Sequence, residues 1–530
     1  MTGIEQSARE WVDAHVAAVA PLERAAGLAG WEAATTGSEE ALARSSESRA
    51  AVRRIYSDPA AAARVRGFLA SPELRDPLLR RELQRLDLLY TGNQLPPETL
   101  EELTRRETGL EQIFYTFRPL FEGREVSNNE LLDVLREETD SARRRAAWEA
   151  AKEVGERAAE PLRELVRVRN AAARSLGFEN YYAMDLALQE LDEPTLFGIL
   201  DAFREETDAA FATLRGEMDL GLAGRFGLGP AELRPWHWED FFSQEAPAIG
   251  EVNLDRLFHG RNLPALAREY YASIALPADD ILARSDLYER ENKDQHAFCT
   301  DIDREGDVRT LCNLRDNERS MSTLLHELGH GVYDKFIPRE LPYPVRCAAH
   351  TMTTEAVAMF MGRLTRNPEW LREALGATIG APEAEDIRRQ LRLSMLVSAR
   401  WILVMSYFER ELYRDPDRAD LNTLWWDLVE SIQRVRRPEG RDAPDWASKM
   451  HLSMSPVYYH NYLLGEMTAS QLGAAIRART GGGTAYTSRE VGRFLRERVF
   501  SRGAVLPWNE LMEEATGEPL SPRYFVEEFV

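Results

Sequence analysis

Residues 324–331 read Leu324-Leu325-His326-Glu327-Leu328-Gly329-His330-Gly331, and the rest of the chain is best read outward from them. Histidines at i and i+4 share a helix face one turn apart, so two imidazole nitrogens can reach one metal ion while the glutamate between them faces a water on that ion. The flanks predict the helix itself, with Asp316 as N-cap, Met321, Leu324, Leu325 and Leu328 as a core stripe, and Pro338 as the far boundary. With nine histidines in 530 residues the pattern arises by chance in on the order of one chain in a hundred, so two satisfied core histidines are the weaker explanation.

A catalytic zinc ordinarily takes three protein ligands and leaves a fourth position for water. Glu355 stands 25 positions past His330, inside a second helical pattern, Thr353-Thr354-Glu355-Ala356-Val357-Ala358-Met359-Phe360. A loop containing Pro338, Pro342 and Pro344 lets that segment fold back on the first helix. His350 competes for the third position, although a lone histidine more often serves in hydrogen bonding.

Elsewhere the periodicity is helical. Ile4, Ala8, Trp11, Val12, His15, Val16 and Val19 form one stripe that Pro21 is expected to interrupt. Helix-period stretches follow over 39–91, 98–116, 128–175 and 193–220, with turns at Asp58-Pro59, Ser71-Pro72 and Pro96-Pro97. Residues 295–314 differ: Phe298, Thr300, Ile302, Val308 and Leu311 alternate around a charged turn at 303–307, which predicts a short hairpin. Helices resume after Asp316, interrupted by loops near 437–445 and at Gly481-Gly482-Gly483. No solenoid period and no long Ser/Gly linker divides the chain, so one helical body with a small strand element is expected.

Composition excludes several function classes. With 66 Lys+Arg against 88 Asp+Glu the net charge is −22, which excludes nucleic-acid binding by bulk electrostatics. Hydrophobic content of 44% and charged content of 29% are those of a soluble globular protein. No uninterrupted apolar run, Trp401–Met405 being among the longest, approaches the roughly 18 residues of a membrane span. No secretory signal is visible around Glu5, Glu10 and Asp13, so a cytoplasmic address is expected, with Cys299, Cys312 and Cys347 as reduced thiols.

A last motif lies downstream, Lys449-Met450-His451-Leu452-Ser453-Met454-Ser455-Pro456-Val457-Tyr458-Tyr459-His460-Asn461-Tyr462. If 457–466 is helical, Tyr458, Tyr459 and Tyr462 share a face, where phenols serve either as donors to an oxyanion or as aromatic core. With the metal helix, the pair Cys299 and Cys312, and the block from Ala147-Trp148-Glu149 to Gly177-Phe178-Glu179-Asn180-Tyr181-Tyr182, this motif resembles the angiotensin-converting enzyme family of zinc peptidyl-dipeptidases. More distantly the chain resembles the thimet oligopeptidase and oligoendopeptidase group.

The resemblance implies a mostly α-helical, two-lobed zinc peptidase with a deep central cleft and a small hairpin before the zinc helix. Residues 1–530 then form a single peptidase domain whose two helical subdomains line that cleft. It implies zinc on His326, His330 and Glu355, Glu327 as general base, and His451 on a substrate carbonyl. Tyr462 is the first choice as oxyanion donor and Tyr459 the second, and Lys449 meets the substrate's terminal carboxylate. Short peptides are the implied substrates, losing C-terminal dipeptides, with an endo-acting oligopeptidase as the alternative; oligomeric state is not indicated. Three departures stand out: Met359 replaces a family Asp four residues past the glutamate ligand, the strand after Cys299 reads Thr300-Asp301-Ile302-Asp303, and no Arg lies between His451 and Glu466. A non-catalytic helical zinc protein is the alternative of another class, and Glu327 argues against it, since structural zinc needs no general base. Hydrolysis of a non-peptide amide is not separable by sequence.

Overall fold

The computed structural model describes residues 2–247, 252–480 and 486–530, so the expected Gly481–Gly483 interruption lies outside the described residues. The described residues are mostly helical, with two small antiparallel strand pairs among them. It divides into two compact units, each assembled from three stretches: unit 1 from Met1–Gln94, Val252–Arg388 and Leu464–Phe525, and unit 2 from Leu95–Glu251, Arg389–Leu463 and Val526–Val530.

In unit 1 the first helix runs Gly3–Thr36, capped by Thr2 and Glu5, and continues through Pro21 where an interruption was expected. Proline removes one backbone hydrogen bond there, but packing on both sides of it outweighs the loss. Ala8, Val12 and Val19 pack with Leu79, Leu83 and Leu86 on one side. On the other, Gly27 approaches the Ile302 backbone so closely that a Cβ would lie 3.0 Å from its carbonyl oxygen.

The predicted hairpin forms with Phe298 opposite Leu311 and Asp301 opposite Val308. Its turn is held by carboxylates: Asp301 accepts the N–H groups of Asp303 and Arg304, and Asp303 those of Glu305 and Asp307. The helix Glu318–Phe336 follows, capped by Asn317, which accepts the Ser320 N–H at 2.9 Å. Asp316, the expected cap, instead accepts the Gly260 N–H at 2.8 and 2.9 Å from its two oxygens. Met321, Leu324, Leu325 and Leu328 are fully buried in a core shared with Tyr271, Ile281, Trp370, Leu472 and Phe500. The three cysteines are free.

Unit 2 contains the second hairpin, Leu120–Phe121 with Arg124–Glu125, for which the sequence reading made no provision. Its two turn residues, Glu122 and Gly123, have φ of 51° and 80°, the double positive that fits a tight hairpin to strand twist. The helix Ala381–Arg414 is long and apolar enough to cross a membrane by length and composition, a property the short run Trp401–Met405 does not convey. Within its apolar window 72% is buried inside the protein, as in a core helix.

Candidate active site

Helix period places His326 and His330 one turn apart beside the buried stripe, and the structure turns their rings edge to face with centroids 4.9 Å apart. Their Nε2 atoms are 3.3 Å apart, and Glu355 Oε2 lies 3.6 Å from one and 3.8 Å from the other. A point equidistant from these three atoms is about 2.1 Å from each, the length of a zinc–imidazole or zinc–carboxylate bond. Among the described residues this is the one group of three His, Cys, Asp or Glu side chains whose ligand atoms all lie within 4.8 Å of one another. The donor set and its spacing therefore fit zinc.

The outer nitrogens are fixed as well. His330 Nδ1 is 2.8 Å from Thr354 Oγ1, and His326 bonds to the Ala358 backbone. Both partners sit on the Thr351–Gly362 helix that carries Glu355, so a hydroxyl and a main-chain group orient the two rings, and position 359 is a methionine. Burial holds His326 at about 4 and, together with the neighbouring His326, holds His330 at about 3, so both rings are neutral and have a lone pair to offer. Glu327 is buried, and burial followed by the charge of Glu355 pushes its carboxyl up to about 8. That is the environment of a buried carboxyl, not of a solvated surface glutamate.

The two helices touch through a glycine. A Cβ on Gly329 would lie 2.7 Å from Ala358 Cα and 3.2 Å from its nitrogen, so only hydrogen lets the backbones approach this closely. On the other flank Gly465 packs against Glu355, whose Cβ would be 3.4 Å from an added Cβ. His350, the competing ligand, is instead the N-cap of the Thr351–Gly362 helix, its Nδ1 accepting the Met352 N–H at 2.9 Å.

Unit 2 gathers the downstream motif. Lys449, His451, Tyr459 and Tyr462 are successive neighbours: Lys449 Nζ lies 5.8 Å from the Tyr459 ring, His451 stacks obliquely on Tyr459 at 5.2 Å, and Tyr459 meets Tyr462 at 5.7 Å. The expected helix over 457–466 is corrected here, because it begins only at His460. Val457 has φ of 51°, a conformation costly for a β-branched residue, and Glu409 holds it by accepting its N–H at 2.8 Å. Tyr458 and Tyr459 consequently precede the helix that carries Tyr462, and contact Tyr462 from the turn. Burial keeps the Tyr459 phenol protonated by raising its pKa, so it remains a donor.

Lys449 is 8% exposed, not the surface lysine its residue type suggests, and donates to Gln244 Oε1 at 2.9 Å. Burial, then the charge of Lys449, holds His451 at about 4, and its Nδ1 is buried with no hydrogen-bond partner among the described residues. Thr354, Gln244 and Lys152, described below, escaped sequence reading. Thr354 lay within the quoted helical pattern and was recognisable only as the neighbour of a proposed ligand.

Residues 2–216 match the family model described as angiotensin-converting enzyme, and residues 282–530 match that of peptidase family M3. The second segment carries His326, Glu327, His330, Glu355, Lys449, His451, Tyr459 and Tyr462. No curated protein matches the chain. The two families are zinc-dependent metallopeptidases.

Proposed function

We propose that this chain, a zinc metallopeptidase that hydrolyses peptides, releases dipeptides from the free C-termini of short substrates. The observation that carries peptide hydrolysis is the triangle of His326, His330 and Glu355 with a buried Glu327 beside it. Zinc held there supplies Lewis-acid polarisation of a carbonyl and acidification of a water. Glu327 takes the proton of the attacking water and passes it to the leaving amine. Tyr462, or Tyr459, donates to the oxyanion, and His451 to a substrate carbonyl.

Dipeptide release rests on Lys449. Its buried ammonium lines the same unit 2 cavity as His451 and has a neutral amide, not a carboxylate, as its hydrogen-bond partner, which suits it to a substrate's terminal carboxylate. Peptides with free and amidated C-termini test the reading. Dipeptide products, amides cleaved about ten- to a hundredfold less well, and loss of that difference in Lys449→Ala are expected from a charge-assisted bond worth roughly 1.5–3 kcal/mol. Equal cleavage of both substrates, with products longer than dipeptides, would establish the second reading, an endo-acting oligopeptidase, which the match of the metal-bearing segment to family M3 favours.

A further inference from the structure

Lys152 has no role in the chemistry above, and its setting is uncommon for a lysine. It ends the Ser141–Lys152 helix of unit 2 with 4% of its surface exposed. Its ammonium lies 3.3 Å from Ser448 Oγ and 3.4 Å from the centre of the Phe242 ring, and among the described residues it makes no ion pair. Lys449 faces the same ring at 4.9 Å. Of the three carboxylates whose charge reaches these lysines, Glu245 is exposed, and Asp240 and Asp445 are already engaged. Asp240 accepts the N–H groups of Phe242, Gln244 and Glu245, and Asp445 is gripped by Arg441 and Trp426.

Both lysines line one cavity of about 330 Å³, together with Ser448 and His451, within the size range of small-ligand sites. Buried charges are ordinarily paired, because desolvation otherwise works against the charged form. Here it does: burial lowers Lys152 to about 7 and Lys449 to about 8. Two buried ammoniums that form no ion pair among the described residues, and that lie over the same Phe242 ring beside a cavity, are complementary to a ligand that brings two negative groups of its own.

We propose that this cavity is a dicarboxylate site, in which Lys449 holds the terminal carboxylate of the departing dipeptide and Lys152 the side-chain carboxylate of a C-terminal Asp or Glu. The inference rests on the dipeptide-releasing reading and assigns Lys152 as a specificity residue within it. Its test needs no turnover: titration calorimetry of the zinc-loaded protein with the dipeptides Gly-Glu and Gly-Gln, which differ by one carboxylate against one amide. Wild type is expected to bind Gly-Glu about ten- to a hundredfold more tightly, with the margin lost in Lys152→Met and kept in Lys152→Arg. Equal binding of the two dipeptides by wild type, binding of neither, or a margin that survives Lys152→Met would overturn it. Cleavage products of free and amidated peptides decide the dipeptide-releasing reading separately, so the two failures are distinguishable.

Discussion

Replacing Gly329 by alanine tests how the metal ligands are held. The added methyl would lie 2.7 Å from Ala358 Cα, 3.2 Å from Ala358 N and 3.3 Å from Val357 O, all backbone atoms of a helix with no side chain to swing aside. Carbon atoms in contact prefer roughly 3.5–4.0 Å, so the Thr351–Gly362 helix must retreat by about 1 Å. Glu355 travels with it, and so do Thr354 and Ala358, which orient the two imidazoles. Lengthening the 3.6 and 3.8 Å edges by that amount moves the equidistant point from about 2.1 Å to about 2.5 Å from each ligand, beyond zinc bonding distance. The expected result is zinc affinity lower by about ten- to a hundredfold, with about 1–3 kcal/mol of lost stability from overpacking. Competition with a chromophoric chelator measures the first, and thermal unfolding the second. Gly67→Ala, in a helix with nothing within 4 Å of the added methyl, is the control and should stabilise by about 0.5–1 kcal/mol. Zinc affinity within twofold of wild type in Gly329→Ala would refute the claim that this contact sets the ligand triangle.

Glu327→Gln should retain one zinc per chain by metal analysis while turnover falls by at least about 10²-fold, the contribution expected of a general base; a zinc-free variant would make Glu327 a ligand instead. Glu355→Ala should lose the metal and His350→Ala should keep it, since His350 caps a helix; the reverse result in dialysed protein would reassign the third ligand. In unit 2, burial and then the Arg144 charge hold His237 at about 4, below its ordinary 6.5, with Nδ1 accepting the Arg234 N–H and Nε2 facing Ser141 Oγ. Because the unfolded chain takes up this proton first, the stability it contributes is complete above pH 6.5 and lost as pH falls towards 4, about 2 kcal/mol by pH 5. Unfolding temperatures at pH 7 and 5 should therefore differ more in wild type than in His237→Gln, and an equal difference would count against the buried neutral ring.

The metal half of this site is legible because its chemistry coincides with helix periodicity. His326 and His330 are bound to meet on any helix, the stripe Met321-Leu324-Leu325-Leu328 says which face is buried, and Glu355 stands in a helical pattern of its own. The hairpin is legible for a similar reason, alternation around a turn rich in Asp. What sequence could not convey depends on partners remote in the chain. Val457 leaves the helical region because Glu409, 48 residues earlier, holds its N–H, and this keeps Tyr458 and Tyr459 off the helix. Pro21 stays within a helix because residues on both sides of it are packed. Lys152, at the end of an Ala- and Arg-rich helix, reads as a solvated charge, and only Phe242 and Ser448 show otherwise. Asn317 and Asp316 are equally good caps on paper, and the nearby Gly260 N–H decides between them by engaging the aspartate.

The interleaving of the two units has a consequence for how the molecule is made. Synthesis delivers both metal-bearing helices long before Leu464–Phe525, yet Leu472, Ile476 and Phe500 complete the core beneath them and Gly465 packs on Glu355. A nascent chain that has released every ligand still lacks the wall that holds the third one in place. Contacts so distant in sequence form slowly, and the core beneath the zinc helix stays incomplete until they do. Completion of the core beneath both helices thus waits for the last stretch of unit 1 to leave the ribosome.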